Sequence, residues 1–322
     1  MNKVTLQINI APGDYRHCIH LLEHQFSIFN DQVTEILLTY DSRPRKIQNL
    51  DVYEENKKKF SELFKKLEKK YSFKVQEIDY STGRINEVYT KYFNRPMPTH
   101  DYRGAPVYGY LFGIEEAMND MVIHIDSDMF FGGLSHTWVS EAVELLKSDP
   151  KILTVSPLPG PPHPDNTLVD QPDYFRYGEN GAFGFNSMST RIFMIDKTRL
   201  YGGLKFHKPA WQNRIFSAME GFSSLEALEI LISNFMRKEN LIRVDFKGKE
   251  PGLWSVHPTY RSEEFYQRIP EMIDRLARND VPEDQLGYYN FSMSFIDWTE
   301  ALENFEKNRL RNKMLRKFKL IK

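Results

Sequence analysis

Residues 121–131, MVIHIDSDMFF, decide the fold class of this 322-residue chain. The run Met121–Ile125 is mostly apolar, as expected of a strand buried on both faces of a parallel sheet. It ends in Asp126-Ser127-Asp128. In open α/β sheets the ligand crevice lies outside the carboxyl ends of the strands. Two carboxylates spaced i and i+2 there repel each other unless a divalent cation bridges them to a ligand such as a diphosphate.

The segments on either side of this strand alternate between strand and helix patterns. Before it, we predict strands at 6–10, 35–42 and 73–78, and helices at 15–30, 52–70 and 106–118. After it, we predict helices at 135–147 and 222–237 and strands at 152–155, 183–195 and 241–246. The stretches 81–102 and 156–182 lack periodicity and are predicted to be irregular, the second as a functional loop. This order predicts an α/β fold with a mostly parallel central sheet flanked by helices.

Composition excludes several classes of protein. Hydrophobic residues make up 41% of the chain and the net charge is −1, which excludes disorder and a nucleic-acid binder driven by bulk charge. The single cysteine excludes an internal disulfide framework and a Cys-rich zinc site. The sequence has no membrane-spanning apolar run, signal peptide or P-loop motif, so we expect a soluble cytoplasmic protein.

The chain resembles the GT-A glycosyltransferases, particularly the family-2-like nucleotide-sugar transferases with a DxD motif. Four segments between residues 4 and 260 carry the resemblance, in the family's order. They are LQINIAPGDY, EILLTYDS, RGAPVYGYLFGIEEAMNDMVIHIDSDMFF and GFSSLEALEILISNFMRKENLIRV. Two departures are visible, since Tyr40 replaces the first acid of the family's acidic pair and Ala227 replaces the second residue of its Glu-Asp pair.

The resemblance implies a Rossmann-like GT-A catalytic domain over residues 1–262. Residues 1–128 would bind the nucleotide sugar and residues 129–262 would face the acceptor, followed by a helical extension with a basic tail at 263–322. It also implies a cofactor, Mn²⁺ or Mg²⁺, held by Asp126, Asp128 and His257. The implied donor contacts are Ala11, Asp41, Arg103, Asp126 and Ser127.

Two glutamates are candidates for the general base that an inverting transfer requires. The resemblance favours Glu226, and Glu229 is the reserve one helical turn on. Both could instead lie on the solvated face of a helix whose leucines point inward. A retaining reaction without such a base stays open.

The implied function is transfer of a sugar, hexosyl or related, from a nucleotide-diphosphate donor to a hydroxyl acceptor. A UDP-sugar is the favoured donor, and the acceptor is a glycan, a lipid-linked saccharide or a small molecule. No nucleic-acid partner is expected. The main alternative is a catalytically degenerate GT-A fold that binds carbohydrate or acts as a scaffold.

Two further features leave readings open. Sugar-nucleotide pyrophosphorylases share a related fold but normally carry a Gly-rich loop after the first strand, and APGDYRH has one glycine there. Residues 307–322 contain eight Lys or Arg and no acid, interleaved with apolar residues. Such a basic amphipathic segment could contact the inner face of a membrane peripherally, or could simply dock as a terminal helix.

Overall fold

A computed structural model describes residues 3–44, 50–178 and 181–308 of the chain. The strands of the described part are β1 (Val4–Ile10), β2 (Glu35–Tyr40), β3 (Lys74–Glu77), β4 (Met121–Asp126), β5 (Phe130–Gly132), β6 (Ile152–Pro159), β7 (Tyr174–Tyr177), β8 (Ala182–Phe185), β9 (Ile192–Asp196), β10 (Ile242–Phe246) and β11 (Trp254–Val256). Its helices are α1 (Tyr15–Phe29), α2 (Leu50–Leu67), α3 (Thr82–Phe93), α4 (Tyr108–Glu116), α5 (Trp138–Ser148), α6 (Trp211–Glu220), α7 (Leu228–Glu239), α8 (Glu263–Ala277) and α9 (Thr299–Asn308).

The strands form one mixed sheet in the order β3-β2-β1-β4-β9-β6-β10-β8-β7, and β11 joins β6 and β5 at one end. Within the described residues, β5, β8 and β9 run against the common direction of the other strands. The predicted fold class, α/β with a mostly parallel sheet between helices, is confirmed.

Helices cover both faces of the sheet because the strands bury side chains on both faces. One apolar cluster joins the sheet to α1, α2 and α5, and a second joins it to α3, α4 and α7. The alternation along β1 shows how the two faces are divided. Leu6 and Ile8 belong to the first cluster, while Gln7 between them points to the other face and hydrogen-bonds Thr39 of β2 at 2.8 Å.

Several predicted elements differ from the structure. The stretch 81–102 contains α3, which is amphipathic with a Ser81 cap on its first turn. Within 156–182, β6 continues to Pro159 and β7 follows later. The predicted strand 183–195 is two strands, β8 and β9, and the predicted helix 222–237 begins only at Leu228. Three elements were not predicted, because β5 and β11 have only three residues each and α6 exposes its apolar side chains.

The segment after residue 262 packs on the sheet. Helix α8 contacts α1 and β5, and its apolar side chains join a third cluster with the aromatic residues of 291–298. The domain boundary at residue 262 stays a prediction. No helix in the described ranges is long and apolar enough to cross a bilayer. The basic segment 309–322 lies outside the described residues.

Candidate functional site

The carboxyl ends of β1, β2 and β4 meet at one edge of the sheet. The three strands are parallel, and Asn9 of β1 is in register with both Thr39 and Asp126. A cavity of about 390 Å³ opens at this edge. Its walls include Ala11, Asp41, Asp126, Ser127 and Asp128, which the sequence analysis singled out, together with Asp14, Tyr110 and Arg261. The structure therefore brings five of the candidate donor and metal residues together.

Asp126 is held from the side of the sheet that faces α4. Its Oδ1 accepts a hydrogen bond from the Tyr110 hydroxyl at 2.6 Å, and the Nε2 of His124 lies 3.4 Å from the same oxygen. His124 is in turn 2.5 Å from the amide oxygen of Gln7 through Nδ1. This buried polar chain fixes the orientation of one carboxylate oxygen, and a quarter of the Asp126 side chain stays exposed.

Helix α1 fixes the turn that carries Ser127 and Asp128. The buried amide of Gln25 donates to the carbonyl oxygens of Asp126, Ser127 and Met129 at 3.0–3.3 Å. The hydroxyl of Ser127 lies 2.9 Å from the Nε2 of His17. The Gln25 amide thus pairs with carbonyl oxygens that the sharp turn would otherwise leave buried without a hydrogen bond.

Asp128 forms the electrostatic centre of the cavity. Its side chain is 2% exposed, and its Oδ2 forms an ion pair with the guanidinium of Arg261. The Nε2 of His257 lies 3.7 Å from the same oxygen. Burial opposes ionisation of this carboxyl, but its interactions with His257, Arg261 and His17 outweigh burial and lower its pKa to about 2. Asp128 is therefore a carboxylate at neutral pH.

His257 has the protonation state of a metal ligand. Burial lowers its pKa to about 4, so the imidazole is neutral at pH 7. Its Nδ1 is buried and has no hydrogen-bonding partner among the described residues. The ring stacks on Tyr289 with 19° between the planes.

The fit of a divalent cation can be judged from these donors. Asp128 and His257 converge, but no group of three acid, His or Cys side chains within the described ranges could hold a metal ion. Mg²⁺ is commonly bound by one or two protein ligands together with substrate phosphates. The residues present fit a cation that arrives with a diphosphate, and they do not form a complete metal cage.

Asp41 and Ala11 line the far side of the same cavity. The Asp41 Oδ2 accepts a hydrogen bond from the hydroxyl of Tyr80 at 3.0 Å. The N–H of Ala11 donates to Asp14 at 2.9 Å in the turn after β1. Tyr40, the last residue of β2, stands where the resemblance implies an acid, and its ring packs against Phe60 of α2. Asp41 is thus the carboxylate that this strand end offers to a ligand.

A second cavity, of about 470 Å³, lies beside the first, and Asp126 lines both. Its neutral polar walls are Ser156, Gln171, Ser187, Ser189, Thr190, Ser255 and Asn290. Its charged walls are Arg103, Arg191, Glu229, Arg243 and Asp245. Gln171 and Pro172 come from the Pro-rich segment that the sequence analysis predicted to be a functional loop. Three aromatic residues of that segment, Tyr174, Phe175 and Tyr177, do not line either cavity.

Glu229 is one of two acids of this second cavity whose carboxyl pKa is raised, and the other, Asp245, forms an ion pair with Arg243. Glu229 lies in the first turn of α7. Burial raises the pKa of its carboxyl, while Arg191, Arg103 and Arg243 oppose the shift. A raised pKa makes a carboxylate a stronger proton acceptor. Glu229 is thus placed where it could take a proton from a bound hydroxyl group.

Two other candidates lie elsewhere than the resemblance implied. Glu226 lines neither cavity, and its Oε1 accepts a hydrogen bond from the N–H of Ala227 at 2.9 Å. Arg103 lines the second cavity and not the first, and its guanidinium donates to the buried Asp101 at 2.8 Å. The Tyr102 N–H donates to the Leu225 carbonyl oxygen, so the segment that carries Arg103 lies beside the loop that carries Glu226.

Arg261 of the first cavity and Arg191 and Arg243 of the second were not predicted from the sequence. Arg261 lies in the irregular segment between His257 and α8, where residue spacing gives no signal of a shared site. Arg191 and Arg243 also carry no such signal. Arg191 directly precedes β9 and Arg243 lies in β10, and these two strands are brought to either side of β6 only by the fold. Arg243 forms an ion pair with Asp245 at 2.9 Å, and burial raises the pKa of Asp245 to about 6.

Comparisons with known proteins give structural similarity only. No protein-family model and no curated protein matches the sequence. Among solved structures, the mannosyltransferase PcManGT from Pyrobaculum calidifontis, in complex with GDP-Man and Mn²⁺, is 12% identical with a TM-score of 0.34. That match covers 70% of this chain and 54% of the mannosyltransferase chain, so this chain spans about half of its length.

Two further structures are similar at the same level. TarS from S. aureus in complex with UDP-GlcNAc is 10% identical with a TM-score of 0.39, covering 88% of this chain and 69% of that one. A UDP-glucose pyrophosphorylase complexed with UDP-glucose is 8% identical with a TM-score of 0.40, covering 85% and 99%. At these TM-scores the similarity assigns neither a family nor an activity to this chain.

Proposed function

We propose that this protein is a glycosyltransferase that moves a sugar, hexosyl or related, from a nucleotide-diphosphate donor to a hydroxyl acceptor. One observation carries the proposal. Asp126 lines both of two adjoining cavities, one with acidic strand ends and Arg261, the other with neutral polar side chains and the half-buried Glu229. A group-transfer enzyme needs such a pair of sites, so that the reacting atoms of donor and acceptor meet without intervening solvent.

The first cavity would hold the nucleoside diphosphate of the donor. Asp41 and Ala11 would contact the base and ribose at the ends of β1 and β2. Arg261 would donate to the diphosphate oxygens, because a guanidinium matches phosphate with paired hydrogen bonds. Asp128 and His257 would hold Mn²⁺ or Mg²⁺ together with the diphosphate, and the cation would offset the charge of the leaving group.

The second cavity would bind the acceptor. Its serine, threonine, glutamine and asparagine side chains suit the hydroxyl groups of a saccharide. Glu229 would accept the proton of the attacking hydroxyl as the acceptor oxygen bonds to the anomeric carbon. The bond from that carbon to the β-phosphate oxygen breaks, and the nucleoside diphosphate leaves with the electron pair. This assignment of the base to Glu229 implies inversion at the anomeric carbon.

Nucleotide binding is the first test. UDP, GDP, dTDP and CDP are each added with Mn²⁺ or with EDTA, and the thermal midpoint is recorded. A ligand that binds only the folded state stabilises it by about 2.7 kcal/mol at a concentration one hundred times its Kd. We expect a shift for one nucleotide, with UDP favoured, and a reduced shift in Asp128→Ala. A shift that EDTA removes supports a bound cation. A shift that persists in EDTA shows that the side chains bind the nucleotide without a cation, and it contradicts the metal site.

Turnover separates an enzyme from a scaffold. The matching nucleotide sugar is incubated with the protein, and release of nucleoside diphosphate is followed with and without a saccharide acceptor. We expect slow hydrolysis that Glu229→Gln abolishes while nucleotide binding persists. Absence of any nucleotide shift would refute the transferase proposal. Binding without turnover would instead favour a carbohydrate-binding or scaffolding protein.

A further inference from the structure

Helix α6 carries an apolar stripe that faces solvent. Trp211, Ile215 and Met219 recur every four residues and are 65%, 52% and 63% exposed. Residues at this spacing lie on one face of a helix. Among the ten residues of α6, only Ser217 is buried. The helix therefore presents its large apolar side chains to solvent, the reverse of a helix that packs by its apolar face on a core.

Three exposed cations lie within or shortly before this helix in the sequence. Lys205 and Lys208 precede α6, Arg214 lies within it, and all three are exposed. The segment 205–220 contains these three cations and one acid, Glu220, at its end. A tryptophan at the edge of an apolar stripe with flanking Lys and Arg is the pattern of a helix that lies in the interface of an anionic bilayer.

The two ends of the segment 207–226, which contains α6, lie next to each other. The N–H of Glu226 donates to the carbonyl oxygen of His207 at 2.9 Å, so the chain leaves and returns at one place. The ring of Phe222 lies against Gly104, where an added Cβ would be 2.9 Å from it. Gly104 follows Arg103, which lines the second cavity. The segment that carries α6 is thus anchored at both ends, and Phe222 just after the helix packs one residue away from a wall of that cavity.

We propose that α6 is an interfacial helix that binds the surface of a bilayer rich in anionic phospholipid. The apolar stripe of Trp211, Ile215 and Met219 enters the boundary between headgroups and acyl chains. Lys205, Lys208 and Arg214 neutralise lipid phosphates, each cation adding to the attraction and each contribution falling with salt. A second copy of the chain would also cover apolar side chains, but the net positive charge of segment 205–220 disfavours pairing of two such faces.

The position of Trp211 allows a direct test on the full chain. The chain has four tryptophans, and the other three, Trp138, Trp254 and Trp298, are at most 3% exposed. Vesicles of equal parts phosphatidylglycerol and phosphatidylcholine are titrated into the protein, and vesicles of phosphatidylcholine alone serve for comparison. We expect a blue shift of the exposed tryptophan and its quenching by brominated acyl chains, only with the anionic vesicles and weaker at high salt.

Variants connect the signal to the stripe. The double variant Ile215→Ser with Met219→Ser keeps the probe and should weaken vesicle affinity on the order of tenfold or more. Met118→Ser with Met293→Ser removes two other exposed methionines, 71% and 51% exposed, and should leave affinity unchanged. Because vesicle binding needs no nucleotide, its outcome is independent of the proposed transferase activity.

Two results would overturn the proposal. One is an unchanged Trp211 emission at saturating anionic vesicles, even if the chain sediments with them through another segment. The other is a monomer–dimer equilibrium in sedimentation analysis that Ile215→Ser with Met219→Ser abolishes, with no response to vesicles. That second result would assign the stripe to a second copy of the chain.

Discussion

Acid sensitivity through His24 follows directly from the way α1 holds the turn after β4. His24 is buried on α1, and its Nε2 accepts a hydrogen bond from the N–H of Phe131 at 3.1 Å. Only a neutral imidazole has an accepting nitrogen. Burial lowers the pKa of this side chain from 6.5 to about 4. Neutral His24 therefore stabilises the fold above pH 6.5, and this contribution is lost as the pH falls towards 4.

The magnitude follows from the size of the shift. One pKa unit corresponds to about 1.4 kcal/mol, so the shift from 6.5 to about 4 corresponds to about 3 kcal/mol in the free energy of unfolding. Because the unfolded chain takes up the proton first, about 2 kcal/mol of this is lost between pH 7 and pH 5. His17 and His257 are also buried with lowered pKa values and add to the total.

The assay is urea unfolding at pH 7 and at pH 5. In His24→Gln the amide oxygen can accept the Phe131 N–H and does not titrate. The loss of unfolding free energy between the two pH values should be about 2 kcal/mol smaller than in the parent chain. His136→Gln changes an exposed histidine and should keep the parent's pH dependence. An identical pH dependence in His24→Gln would refute the reasoning.

Three other predictions concern the site and its support. Glu229→Gln should lower kcat by about a hundredfold or more with nucleotide affinity retained, whereas Glu226→Gln should change kcat little; the reverse order would return the base to Glu226. Gly113→Ala places a Cβ 2.5 Å from the Gln7 amide nitrogen and should destabilise the fold by about 1–3 kcal/mol in urea unfolding, so a stabilised variant would contradict this packing. Met272→Ala truncates a fully buried side chain of α8 and should cost about 2–5 kcal/mol in a single transition, whereas two separate transitions would support a domain boundary at residue 262.

Local signals predicted most of the sheet and one cavity. The strand ends at Asp41 and Asp126 could be predicted to meet, because parallel strands place their carboxyl ends at one edge. The same logic brought Ala11 and Asp128 into the first cavity. The alternation of Ile123, His124 and Ile125 along β4 likewise places His124 on the opposite strand face, where it is fully buried.

The choice between two glutamates could not be made from spacing. Glu226 and Glu229 are three residues apart and would face the same side of a continuous helix. The helix begins only at Leu228, so Glu226 lies in the preceding loop and bonds its neighbour's N–H, while Glu229 lies in the first helical turn at the second cavity. A boundary displaced by a few residues thus decided which acid lines the cavity.

The sequence by itself determined the α/β class and the acidic edge of the sheet. A strand buried on both faces is visible as a continuous apolar run, and the residues that follow the run mark the end of the strand. Only the tertiary structure placed Arg261 on Asp128, joined Arg191, Arg243 and Glu229 in one cavity, and left the stripe of α6 exposed. These features depend on contacts between residues far apart in the chain. Such contacts are set by how whole elements pack, and no local pattern encodes them.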